Sequence, residues 1–127
     1  MPVPVAMGYP SLMPDKYDLF DQAVDLVAEG KLDDAVTKYR EAIAEDDAFP
    51  DAWQGLALAL ADLKQFDAAI EAGKKYVDLE PEDVLSHTTL SRIYQQAGMI
   101  AEAEAEGGKA RILDWKRQLA EGGGGGE

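Results

Sequence analysis

Residues 50–81 read PDAWQGLALALADLKQFDAAIEAGKKYVDLEP, two apolar-periodic segments joined by a short polar turn and bracketed by prolines. Pro50 sits where the first turn of a helix tolerates a missing N–H. Trp53, Leu56, Ala57 and Leu60 then share one helical face, and the size of Trp53 predicts a place in the core. After Lys64-Gln65-Phe66, Asp67 is expected to cap a second helix whose Ala69, Ile70, Gly73, Tyr76 and Val77 face inward, and Pro81 ends it.

The same pattern recurs on both sides of this stretch. Ala35, Ala69 and Ala103 are spaced by 34 residues, and Leu19, Trp53 and His87 keep that interval. So do Ala23, Ala57 and Ser91, then Leu26, Leu60 and Tyr94, then Leu32, Phe66 and Ile100. A period of this length means stacked helix pairs, none of which can bury its apolar face alone. The first pair is predicted from Asp15, a candidate N-cap, to Gly30, and from about Asp33 to Asp46. The third begins near Asp83, turns at Ala97-Gly98, and resumes at about Ile100. No stop signal follows until Gly122, so the last helix is expected to run long, to about Glu121.

The flanks differ in kind. Pro2, Pro4, Pro10 and Pro14 crowd residues 1–14, which favours extended backbone over helix. Residues 122–127 form a glycine-rich tail. The predicted organisation is therefore a proline-rich lead-in at 1–14, a repeat domain at 15–121 with units of about 16–49, 50–83 and 84–117 plus the helix extension, and the tail.

The pattern Trp53-x-x-Leu56-Ala57-x-x-Leu60, then Ala69, then Pro81, closely resembles the tetratricopeptide repeat (TPR). The resemblance covers about residues 16–120. It is strongest in the middle unit, where Phe66 and the closing Leu79-Glu80-Pro81 also match. The first unit departs at Asp47, which replaces the closing proline. The third departs at Glu104, Gly107 and Trp115. The resemblance implies an all-α fold of three helix-turn-helix units in a right-handed superhelix, followed by the long C-terminal helix. It also implies protein–protein interaction rather than catalysis.

Composition narrows the function classes independently. The net charge is −13, with 12 acids against 4 bases in residues 1–60 and 13 against 8 in residues 61–127. A polyanion without a basic stripe repels nucleic acid and acidic bilayer surfaces. The absence of cysteine removes disulfides and thiolate metal sites, and fits a reducing, cytoplasmic setting. The first residues, MPVPVAMGYP, have neither a basic n-region nor an unbroken apolar h-region, so no signal peptide is expected.

No constellation points to chemistry, and no cofactor or metal is expected. His87 is the single histidine and fills the slot of Leu19 and Trp53, so a packed aromatic is the simplest role. Ser11, Ser86 and Ser91 lack a nucleophile-elbow context. Glu45, Asp46, Asp47 and Asp51 lack the alternating spacing and central glycine of a calcium loop, which leaves a solvated inter-helix turn.

The resemblance assigns a binding groove to the first helix of each pair. Carried onto this chain, its positions are Tyr17, Phe20, Val24 and Val27; then Asp51, Gln54, Leu58, Ala61 and Asp62; then Leu85, Thr88, Thr89, Arg92 and Gln95. The family's best-known device, a clamp of Lys, Asn and Arg for C-terminal carboxylates of heat-shock chaperones, would stand at Phe20, Val24, Gly55, Leu85 and Thr89. None of these matches. The groove therefore suits an apolar peptide or helix with an acidic or amide group near Arg92.

A structural scaffold is the competing reading, in which the chain forms homo-oligomers through its N-terminal segment or its last helix. Val3, Val5, Met7, Tyr9 and Leu12 could cover the groove in the same chain or in another copy. In the last helix, Ile112, Leu113, Trp115 and Leu119 exceed what one neighbouring helix needs. Lys109, Arg111, Lys116 and Arg117 supply the polar face of a capping helix. Gly107-Gly108 inside this helix costs on the order of 1 kcal/mol per glycine against alanine, which calls for close packing or a kink.

Overall fold

The computed structural model describes residues 14–122, all of whose regular structure is helical. Expectations for the proline-rich lead-in, its placement on the groove, and the glycine-rich tail lie outside the described residues. The helices are α1 (Lys16–Ala28), α2 (Leu32–Glu45), α3 (Pro50–Asp62), α4 (Phe66–Leu79), α5 (Val84–Gln96) and α6 (Ile100–Gly122). They form three antiparallel pairs. The 23 residues of α6 exceed the 13 or 14 of every other helix.

The 34-residue interval is visible in the turns. Gly30, Lys64 and Gly98 all adopt positive φ (79°, 64° and 81°), the left-handed conformation that closes a helix end. The following N–H of Lys31, Gln65 or Met99 then donates to the carbonyl of Leu26, Leu60 or Tyr94, at 2.8, 2.9 and 2.8 Å. Lys64 occupies a conformation that glycine adopts without strain in the other two turns.

Two expectations need correction. Asp67 is not the N-cap of α4: Gln65 is, without a side-chain hydrogen bond, because the turn through Lys64 releases the helix at Phe66. Asp67 lies in the first turn, where its charge complements the helix dipole. By contrast Asp15 does cap α1, in a reciprocal box with Asp18, and Asp83 caps α5 by accepting from Leu85 N–H. Trp53, expected in the core, is only partly buried. Its indole N–H needs an acceptor and finds Asp47 O at 2.8 Å, which holds the ring at the edge of the turn between pairs.

The core is built from the small residues of the beat: Ala23, Ala35, Ala57, Ala69 and Ala103 are all buried. Leu60 and Ile93 are the large apolar side chains most fully enclosed. Two glycines permit closer approach. A Cβ at Gly55 would overlap the Tyr39 ring, and one at Gly73 would stand 3.0 Å from Leu90 Cδ1 and 3.4 Å from Ile93 Cδ1. Neighbouring first helices touch each other, α1 with α3 and α3 with α5, whereas α2, α4 and α6 make no such mutual contacts. The stack therefore curves around its first helices, which form the inner face.

Candidate binding face

The inner face presents side chains in ranks one repeat apart, so residues separated by 34 positions lie side by side across it. One rank is Tyr17, Asp51 and Leu85; the next is Phe20, Gln54 and Thr88; the third is Val24, Leu58 and Arg92. Tyr17, Val24 and Val27 on α1 and Leu85 on α5 are 60, 43, 38 and 49% exposed, high for apolar side chains. Phe20, Gln54 and Leu58 are half-buried, and Asp62, Thr88, Arg92 and Gln95 are exposed. Arg92 makes no ion pair among the described residues.

The apolar end of this face rests on an aromatic cluster. The Phe20 ring lies 5.4 Å from Phe49 and 5.8 Å from Tyr39, and Tyr17 meets Phe49 edge-on at 5.7 Å. The Lys16 ammonium sits over Tyr17 and Phe49 and pairs with Asp46, whose carboxyl it holds below the ordinary range. Phe49 escapes a periodic reading because the equivalent residues are Asp15 and Asp83. Toward the polar end, Gln54 Nε2 donates to Thr89 Oγ1 at 3.4 Å, which joins α3 to α5. Thr89 and Ala61 are buried beneath the face, while Thr88 bonds Val84 O and borders a depression between α5 and α6.

The polar groups of the third pair serve packing. Ser86 donates to Glu80 O at 2.6 Å and Ser91 to Ala103 O at 2.7 Å. His87 is buried in the slot of Leu19 and Trp53. Its Nε2 lies 2.8 Å from Pro81 O, which can only accept, so that nitrogen carries a proton; Nδ1 lies 2.8 Å from Glu106 Oε1 and donates to that carboxylate when the ring is doubly protonated. Lys109 also reaches Glu106, at 2.9 Å. Burial alone would raise the Glu106 carboxyl, but the hydrogen bonds from His87 and Lys109 prevail and hold it below its ordinary 4.5.

His87→Leu is therefore expected to cost about 2 kcal/mol at pH 7, because it strands Pro81 O and one oxygen of Glu106. The sign of the pH effect follows from the depressed carboxyl. Its contribution is complete above 4.5 and fades as pH falls through the lower folded value. Urea unfolding should thus separate wild type from Glu106→Gln at pH 7, with the gap narrowing as pH falls below 4.5. A gap that widened in acid would contradict the pairing.

The model of the tetratricopeptide repeat family matches residues 20–84, just over half of the sequence. The chain belongs to the tetratricopeptide repeat family. No curated protein matches it. Among solved structures, one titled "Crystal structure of MamA" superposes with a TM-score of 0.76 at 21% identity, covering 81% of this chain and 60% of that one. A second MamA structure, AMB-1, gives 0.73 at 26%, covering 80% and 60%. The chain thus spans 60% of the length of these MamA chains. The second TPR of Spaghetti (RPAP3), bound to the HSP90 peptide SRMEEVD, gives 0.72 at 18%, covering 78% of this chain and 92% of that one. Among the described residues, no helix of this TPR chain is long and apolar enough to cross a membrane.

Proposed function

We propose that this TPR chain is a non-catalytic interaction module that holds an apolar peptide or helix on its inner face, with an acidic or amide group of the ligand at Arg92. The rank Val24–Leu58–Arg92 carries this reading: two apolar side chains followed by a cation with no ion-pair partner among the described residues. Tyr17, Phe20 and Val27 extend the apolar end; Leu85 adds an apolar side chain on the helix that carries Arg92, and Gln54, Asp62, Thr88 and Gln95 supply polar contacts around Arg92. Burying exposed apolar side chains provides affinity, and the lone cation fixes direction.

The peptide in the RPAP3 structure has three acidic residues among its last four, but the corresponding clamp is missing here. Phe20 is packed against Tyr39 and Phe49, Gly55 has the Tyr39 ring over it, and Thr89 is buried. Calorimetric titration with SRMEEVD should accordingly give no saturable binding up to about 1 mM. A random peptide library selected on the wild-type protein should instead enrich apolar sequences with one acidic or amide residue. Those peptides should lose at least about tenfold in affinity on Leu58→Glu or Arg92→Glu, roughly 1.4 kcal/mol. Tight SRMEEVD binding, or selected peptides indifferent to both substitutions, would overturn the proposal.

A further inference from the structure

The outer surface of α6 differs from that of the two helices it repeats. One face of α2 carries Asp33, Thr37, Arg40 and Ala44, and the same positions in α4 are Asp67, Glu71, Lys74 and Asp78, all exposed. In α6 these positions become Ala101, Ala105, Gly108 and Ile112, and Trp115 and Leu119 continue the row. Ile112, Trp115 and Leu119 are 55, 60 and 53% exposed, and among the described residues α6 packs on α5 alone. The spacings alternate four, three, four, three and four, the heptad seam of a helix that meets a second helix.

The row is also complementary to itself. Small residues fill its first half and large ones its second. An antiparallel second copy, with the two-fold axis between Gly108 and Ile112, sets Ala101 against Leu119, Ala105 against Trp115 and Gly108 against Ile112. Each layer then joins a small residue to a large one, as close helix packing requires. Along the flank, Glu102 meets Lys116 of the second copy, twice by symmetry, although Lys109 and Arg111 each approach their own counterpart near the axis. A parallel pair would instead stack Trp115 on Trp115 and leave a void at Gly108.

Gly108 supplies a separate indication. Among the described residues a Cβ there would meet nothing nearer than the tip of Arg111, at 3.7 Å, so the packing of the six helices does not require this helix-weakening residue. Gly107, by contrast, lies against Ser91.

We propose that the outer face of α6 is the interface of an antiparallel homodimer, whose seam runs from Ala101 to Leu119. The seam extends about 28 Å and falls at the small end of stable interfaces, below about 1,200 Å², so a dimer in the micromolar range is expected. It uses the opposite side of the molecule from the peptide-binding face and does not depend on it.

Sedimentation velocity from about 5 to 200 μM should show a monomer–dimer equilibrium. Ile112→Lys and Trp115→Glu should each abolish the dimer and keep the helical signal and melting temperature, because both side chains are exposed. Gly108→Gln should raise the melting temperature yet weaken the dimer at least about tenfold. The chain has no cysteine, so single introduced thiols can report register. Arg111→Cys should cross-link to itself with a short bis-maleimide, and Leu119→Cys should link only to Ala101→Cys. A monomer throughout, a dimer unaffected by Ile112→Lys and Trp115→Glu, self-linking of Leu119→Cys, or loss of the dimer on deleting residues 1–13 alone would overturn the proposal. Leu58→Glu should leave the dimer intact and Ile112→Lys should leave peptide binding intact, so the two interactions fail separately.

Discussion

Ile93→Ala is expected to lower the stability of the fold by about 4 kcal/mol, the upper part of the range for deleting a buried aliphatic side chain. Ile93 is fully enclosed on α5 and lies over Gly73 of α4. A glycine has no side chain with which to refill the space, so the cavity stays open and its cost adds to the lost burial. The position also joins the second helix pair to the third. Repeat arrays derive much of their stability from such nearest-neighbour surfaces, so α5 and α6 should melt ahead of the rest. Calorimetry and urea unfolding would then show a broadened or biphasic transition, with the first midpoint lowered by roughly 15 °C. Ile93→Val, at about 1 kcal/mol, is the conservative control. A single sharp transition shifted by only a degree or two would contradict this packing.

Gly55→Asn should be nearly as damaging, at about 3 kcal/mol. In an exposed helix, replacing glycine ordinarily stabilises by up to about 1 kcal/mol. Here the new Cβ would enter the Tyr39 ring, which is 4% exposed and tilted against Phe20. Tyr39 can yield only by disturbing the aromatic cluster beneath the apolar end of the inner face. Urea unfolding measures the loss, and near-ultraviolet circular dichroism reports the displaced ring. A variant as stable as wild type would mean that α2 and α3 are less closely packed than described.

The sequence revealed the parts of the fold that repeat. The beat through Leu32, Phe66 and Ile100 coincides with the first residues of α2, α4 and α6, and the alanines at helix crossings are buried. Features that break the beat were harder to read. Phe49 anchors the aromatic cluster, but its equivalents are aspartates that start helices. Asp67 looked like a cap because its side chain suits one, yet backbone geometry at Lys64 set the helix start. Trp53 was assigned by size, whereas its N–H drew it to the carbonyl of Asp47. The positions on the inner face followed from the resemblance. The support beneath them, from Tyr39 to the Gln54–Thr89 hydrogen bond, requires three dimensions.

Nuclear magnetic resonance titration of the isotope-labelled chain with a library-selected apolar peptide is the most direct test of binding on the inner face. Resonances of Val24, Leu58, Leu85 and Arg92 should shift together and saturate, with α2, α4 and α6 little affected. Shifts centred on the outer crevice around Ile43, Trp53 and Lys75, or on α6, would contradict it.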